Sequence, residues 1–457
     1  MVLISLAIAA AILAMLFFIG KIPISYNLRN LTLRWRTTLM TALAFTAVVA
    51  LLTVMMAFVH GMRRLTEDTG QPGNVIVLAD GATDEIISNL TIGDLSEIEN
   101  LPDVLRENGR PMSSRETCLV ANQPIPSTAD GRPKRRFLQV RGIEDPVLTA
   151  KIHGLDLLPG GSWFSEAGVQ ESAPPQSTPH APREAAPSDP HSNSAPLVQA
   201  VLGEGVAYEL GRSRTSQERA AAKNPKRLDV GDTFTLGNRQ WIIVGILKSS
   251  GSTFNSEIWA KRSLAAALFG KDTYTTLVLR TENAETAQNL KNFLSEDYKK
   301  AAVNAQVETE YYKSLSETTA QFSWAIGFIA FVMSIGGVFG VMNTMFAAIS
   351  QRTGDIGVLR LLGFARWHVL VAFLLESLTI GLLGGLLGCA LGSMADGWNA
   401  TSIVGGTHGG GKSVVLQLAI SPDIIAGGIL LTLAMALLGG LLPAISAMRL
   451  KPLEALR

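Results

Sequence analysis

Gly406 to Ser413 (GTHGGGKS) match G-x-x-x-x-G-K-[ST], the spacing with which a glycine-rich loop wraps phosphates while a lysine reaches their charge. That chemistry needs a buried strand before the loop, a helix after it, and an acidic strand end to help hold Mg²⁺. Here the match lies in the connection 396–421 between two apolar stretches. The topology derived below puts it outside the cell, where ATP is scarce, so it reads as a flexible glycine-rich loop. The six histidines (His60, His153, His180, His191, His368, His408) show no H-E-x-x-H spacing, and no G-x-S-x-G elbow is present. Acidic residues of the segment 61–320 are too scattered to single out a catalytic pair. Cys118 and Cys389 are the two cysteines, too few for a disulfide framework or a cysteine-based zinc site. The residues therefore offer no catalytic, metal or cofactor-binding set, and an enzyme is the minority reading.

Polar residues within apolar surroundings carry more information. Glu376 lies about two turns into an apolar run, where a carboxylate must face protein, a partner group or water. A proton relay needs several such residues, and the other runs supply none. An interhelical hydrogen bond, with Asn343 as one conceivable partner, or a place near the inner headgroups is the expectation. Gly381/Gly385, Gly384/Gly388 and Gly388/Gly392 have small-xxx-small spacing, and Gly336/Gly340 repeat it in another run. Such spacing lets helices approach closely in lipid, within one subunit or between two.

The segment from Ser350 to Leu370 (SQRTGDIGVLRLLGFARWHVL) mixes apolar Ile356, Val358, Leu359, Leu361 and Leu362 with Arg352, Asp355 and Arg360. A loop that merely joined two helices would be short and polar. This one predicts a short amphipathic helix with an apolar face, either docked on something or lying among headgroups.

These features sit on an uneven chain. Of its 457 residues 47% are hydrophobic and 17% charged, and the net charge of +1 gives no general attraction to nucleic acid. Residues 61–320 hold 28 basic and 33 acidic side chains, while the rest of the chain is basic. Five apolar stretches, 2–19, 38–59, 322–349, 369–395 and 422–447, qualify as or approach membrane spans. Lys21, Arg29, Arg34, Arg36, Arg352, Arg360, Arg366, Arg449, Lys451 and Arg457 collect on one side of the alternation, which must be the cytoplasm. The segment 60–321 then lies outside, as does the N-terminus. No charge precedes Lys21, which favours a reverse anchor over a cleaved signal for residues 1–20.

The outer segment reads as α+β. Strands are expected at 74–80, 137–143 and 274–280, and a hairpin turning at Gly237-Asn238. Amphipathic helices are expected at 257–270 and 284–301. Residues 171–197 contain seven of the 20 prolines and read as a disordered insertion, with His180 and His191 inside it.

Gln351–Phe364 (QRTGDIGVLRLLGF), Phe373-Leu374-Leu375-Glu376-Ser377, the glycine-rich run and the ending PAISAMRLKPLEALR together resemble the FtsX-like ABC transporter permease family. Asn27-Leu28-Arg29-Asn30-Leu31 resembles the lead into that family's first span. Gly203-Glu204-Gly205-Val206-Ala207, Val230-Gly231-Asp232 and Val244-Gly245-Ile246 are similar to the periplasmic core of its MacB-type, lipoprotein-releasing-like branch. Asp355 stands where the family commonly has Glu. The resemblance implies an α-helical membrane protein of four family spans, here with an extra N-terminal one, and a large α+β extracytoplasmic domain between the second and third spans. Its parts would be the extra span 1–20, a cytoplasmic amphipathic lead 21–37, the span 38–59, a MacB-like core 60–321, an FtsX-like permease domain 322–447 with three spans, and a cytoplasmic tail 448–457.

The resemblance also implies a function. The chain would be the permease subunit of an ABC transporter in the bacterial inner membrane, passing the motion of a separate cytoplasmic ATPase, which uses ATP and Mg, to the outer domain. The cargo would be a lipoprotein, lipid, peptide or drug; the alternative is a regulator that activates an outer partner such as a cell-wall hydrolase. Implied partners are the ATPase, a second permease copy in a homodimer or heterodimer, an extracytoplasmic adaptor or substrate protein, and membrane lipid. Arg352, Asp355, Ile356, Val358, Leu359, Arg360, Leu361 and Gly363 would form the loop that meets the ATPase.

Overall fold

The structure, a computed structural model, describes residues 35–67, 69–125, 134–171, 196–248, 252–314, 317–405 and 411–450. The expected extra span, most of the cytoplasmic lead, the proline-rich stretch 172–195 and the tail end 451–457 lie outside the described residues. The chain forms two compact units, one of apolar helices and one spanning Met62–Thr318 with Asn399–Leu416.

Helix α1 (Trp35–Glu67) leads into the second unit. There follow β1 (Asn74–Ala79), α2 (Ile92–Ile98), β2 (Arg106–Glu107), β3 (Arg110–Pro111), β4 (Ser113–Ile125), β5 (Lys134–Ile143) and α3 (Pro146–His153). Next come β6 (Val169–Gln170), β7 (Leu197–Leu202), α4 (Glu204–Gly211), α5 (Ser216–Ala221), β8 (Thr233–Leu236), β9 (Arg239–Ile246), β10 (Glu257–Lys261) and α6 (Arg262–Phe269). The unit closes with β11 (Thr276–Arg280), α7 (Ala284–Asn292), β12 (Val303–Val307) and α8 (Glu308–Ser314).

One mixed sheet, in the order β12-β1-β11-β4-β5-β10-β7-β9-β8 with β6 beside β7, organises this unit. One apolar core lies around Val140, Ala200, Trp241, Ile243 and Ile258, another around Val77, Leu90, Leu95, Leu277 and Leu290. The hairpin at Gly237-Asn238 forms as its sequence predicts. Both residues have positive φ, 58° each, and Leu236 pairs with Arg239 across the two-residue turn, as a type I′ hairpin requires. The helix expected over 257–270 is corrected: Glu257–Lys261 is strand β10, and only Arg262–Phe269 is α-helical. That strand is parallel to β5 and antiparallel to β7, and four successive residues of it are buried, so no alternation marks it. The helix expected over 284–301 is α-helical to Asn292 and continues as a short π-turn, Phe293–Asp297.

The helical unit continues with α9 (Glu317–Ser350), α10 (Thr353–Leu361), α11 (Arg366–Ser393) and α12 (Pro422–Arg449). Between the last two lies a ribbon of β13 (Asn399–Gly405) and β14 (Gly411–Gln417). Helices α1, α9, α11 and α12 are long and apolar enough to cross a membrane.

Helix α11 is the hub: 72% of its most apolar window is buried, against 11% for α9. Its glycines divide between two neighbours. A Cβ on Gly384, Gly388 or Gly392 would come within 2.6–2.7 Å of the Cβ of Phe45, Val49 or Thr53 in turn. Both helices advance four residues per contact in the same sense, so α1 and α11 run parallel. Gly381 and Gly385 instead approach Ala436 and Thr432 of α12, where the numbers run in opposite senses, so that pair is antiparallel. These directions agree with the alternation derived from the basic residues. Thr46 Oγ1 donates to Gly384 O at 3.2 Å and Ser377 Oγ to Ala436 O at 3.0 Å, adding polar ties where backbones nearly touch. Gly336 and Gly340 on α9 meet nothing within 4 Å.

Candidate functional site

The segment joining α9 to α11 turns twice within 15 residues. α9 ends at Ser350, and Arg352 N donates to Ile349 O at 2.9 Å before α10 begins. α10 stops because Gly363 adopts a left-handed φ of +91°. Phe364 N then reaches Leu359 O and Gly363 N reaches Arg360 O, both at 3.2 Å, the paired bonds of a Schellman ending. His368 Nδ1 accepts from Ala365 N at 3.1 Å and caps the start of α11.

The side chains of α10 sort into an inner and an outer set. Arg352, at the N-cap position, makes no side-chain cap; its guanidinium turns inward and forms two hydrogen bonds with Glu376 of α11. Nη1 donates to Oε2 at 2.8 Å and Nη2 to Oε1 at 2.9 Å, with both side chains almost fully buried. The Phe373 ring lies 5.9 Å from the guanidinium carbon. Ile356, one turn on, is buried in the cluster that holds Ile349, Val369 and Phe373. Asp355, Val358 and Leu361 face outward, Leu359 and Arg360 are half-buried, and Gly363 is exposed. Val358 is 47% exposed, Leu361 63% and Leu362 71%, with Trp367 of α11 at 66%. These four side chains give the segment an exposed apolar edge opposite the Arg352–Glu376 pair.

Glu376 finds Arg352 rather than Asn343, which is exposed on α9. Arg352 and Ile356, expected to face a partner, instead anchor α10 to α11. Sequence reasoning missed this ion pair. The available signal was that a deep carboxylate needs a cation, and Arg352 begins the connection just before that helix. Of the phosphate-loop match, Gly411–Ser413 begin strand β14 and not a helix, and 406–410 lie outside the described residues.

Residues 327–452 match the FtsX-like permease C-terminal family, and residues 38–295 match the MacB-like periplasmic core domain. The chain belongs to the FtsX-like permeases of MacB type. Among its relatives, this permease is 28% identical over 258 residues to the uncharacterized ABC transporter permease YknZ of Bacillus subtilis, covering 53% of this chain and 60% of that one. It is 27% identical over 264 residues to the uncharacterized ABC transporter permease MJ1507 of Methanocaldococcus jannaschii, covering 56% and 61%. It is also 27% identical over 242 residues to the macrolide export ATP-binding/permease protein MacB of Escherichia coli K12, covering 51% of this chain and 36% of that one. The permease thus matches about three fifths of the first two relatives' length and about a third of the last. The main part of its α+β unit, Met62–Thr318, is the large extracytoplasmic domain of the family, inserted between α1 and the later spans.

Proposed function

We propose that this permease is the transmembrane subunit of an ABC transporter and that a separate cytoplasmic ATPase docks on the outer edge of α10. The observation that carries the reading is the arrangement of that helix: Val358, Leu361 and Leu362 are exposed while Arg352 and Ile356 fasten its other side to α11. A force applied to the apolar edge passes through a buried ion pair into the most enclosed span, and from the spans to the extracytoplasmic domain. Rigid-body transfer of this kind needs a docking element and stiff, well-packed helices. The cargo class is a lipoprotein, lipid, peptide or drug, moved or extracted by the outer domain, with a second permease copy completing the assembly.

Val358→Asp combined with Leu361→Asp tests the docking. The pair should abolish co-purification of the ATPase while leaving membrane insertion and the protease resistance of the outer domain unchanged. Retained ATPase binding and turnover would overturn the assignment. Stimulation of ATP hydrolysis by a transported substrate would separate transport from regulation of an outer partner.

A further inference from the structure

His153 is the last residue of α3, and the local sequence fixes it there. Asp145 caps the helix by accepting from Val147 N at 3.1 Å and Leu148 N at 3.0 Å, Pro146 follows at the first turn, and Gly154 ends it with φ of +67°. A Cβ on Gly154 would stand 2.8 Å from Gln71 Nε2, so glycine is also what lets α3 approach the segment that follows α1.

The imidazole is buried and has a carboxylate on each nitrogen. Nδ1 lies 2.7 Å from Glu308 Oε1 and Nε2 lies 2.8 Å from Glu116 Oε1. A neutral ring has one N–H and one lone pair, and would set that lone pair against a carboxylate. Two carboxylates at hydrogen-bond distance therefore call for the doubly protonated, cationic ring. Glu308 is engaged on its other oxygen too: Oε2 accepts from Gln71 N at 2.9 Å and Asn74 Nδ2 at 2.7 Å. Asn74 Nδ2 also donates to Ile152 O at 2.9 Å. Beyond Glu116, Arg141 binds Glu85, Glu116 and Glu257, all fully buried. Cys118 lies beside Glu85 and Glu116, while Phe254 and Trp259 place their rings edge-on to the imidazole. Burial alone would push the His153 pKa down, but Glu116 and Glu308 outweigh it and raise it to about 10.

These contacts join two segments far apart in sequence. Gln71–Asn74 is where the chain enters the extracytoplasmic domain after α1, and α8, opened by Glu308, is where it leaves toward α9. We propose that His153 is a positioning residue which, as an imidazolium, ties the entering and leaving segments to each other and to the central sheet, so that the two junctions move as one body. The role in force transfer rests on the function proposed above; the tie itself does not.

The test is amide hydrogen exchange of the full chain in lipid nanodiscs, expressed as protection factors. In His153→Gln, amides of 69–74 and 308–314 should lose protection together, by roughly 100-fold, because a buried carboxylate is left without its cation. Amides of β7 and β9 should not change. In the unsubstituted protein the same two segments should lose protection as the pH is raised toward 10, and in His153→Gln that pH dependence should vanish. Glu308→Gln keeps the shape and the acceptor for Gln71 N but removes the charge, and should shift both segments in the same direction. Unchanged protection in both variants, loss in one segment alone, or a flat pH profile in the unsubstituted protein would overturn the proposal. The α10 variants should leave this exchange pattern intact, so failure of ATPase docking and failure of the tie are separate results.

Discussion

Arg352 and Glu376 are 24 residues apart in sequence and meet through two parallel hydrogen bonds inside the helical unit. Removing one partner leaves the other as a lone buried charge, which typically costs about 3–5 kcal/mol. Arg352→Ala and Glu376→Gln should therefore both lower the thermal midpoint of the detergent-solubilised protein. The exchanged pair Arg352→Glu with Glu376→Arg should recover part of the loss. Equal damage from the single and exchanged variants would show that the contact acts through packing and not through charge.

Alanine at the glycines of α11 should destabilise, and at those of α9 should not. Gly388→Ala puts a methyl group 2.7 Å from Val49 Cβ, and Gly384→Ala one 2.6 Å from Phe45 Cβ, so each forces α1 away. Overpacking of this kind costs about 1–3 kcal/mol. Gly336→Ala and Gly340→Ala meet open space within the chain and should leave the monomer's thermal midpoint unchanged. Circular dichroism melts of the four variants in one detergent make the comparison.

Stability of the extracytoplasmic domain should depend on pH on the alkaline side. The His153 pKa is raised from an ordinary 6.5 to about 10 by Glu116 and Glu308 against the opposing effect of burial. A raised pKa in a cationic acid adds stability that is fully present below 6.5 and is lost as pH climbs through 10. Glu116 has the opposite sign. Burial would raise its pKa, but His153 and Arg141 hold it below the ordinary value, so its contribution is lost as pH falls into the acid range. Denaturant midpoints measured from pH 6 to 10 should fall, and His153→Gln should flatten that limb.

Lys412→Ala should leave ATP turnover of the reconstituted complex intact. Lys412 stands at the start of a strand, and a phosphate cradle needs the backbone amides of a helix start there. Loss of turnover in this variant would return the glycine-rich loop to consideration.

Much of this architecture can be read from residue types because membranes impose coarse rules. Long uncharged runs and asymmetric basic flanks mark α1, α9, α11 and α12 and their directions without tertiary information. The turn at Gly237-Asn238 is equally local. Glu257–Lys261 fails as a sequence reading because a strand with neighbours on both sides and buried faces shows no period of two. Glu376 draws attention as a costly charge that calls for a nearby cation, but which arginine answers is settled by how α10 folds back on α11. His153 has no neighbour in sequence to betray it: Glu116 comes from β4, Glu308 from α8 and Asn74 from β1, and only the sheet order brings them together.

That order has a further consequence. β1 and β12, the first and last strands of the segment between α1 and α9, are paired antiparallel, with Val75 opposite Val307. More than two hundred intervening residues therefore begin and finish at neighbouring points, like a cassette held by a two-pronged plug. A pull on either prong is therefore felt at once by the other through the β1–β12 ladder.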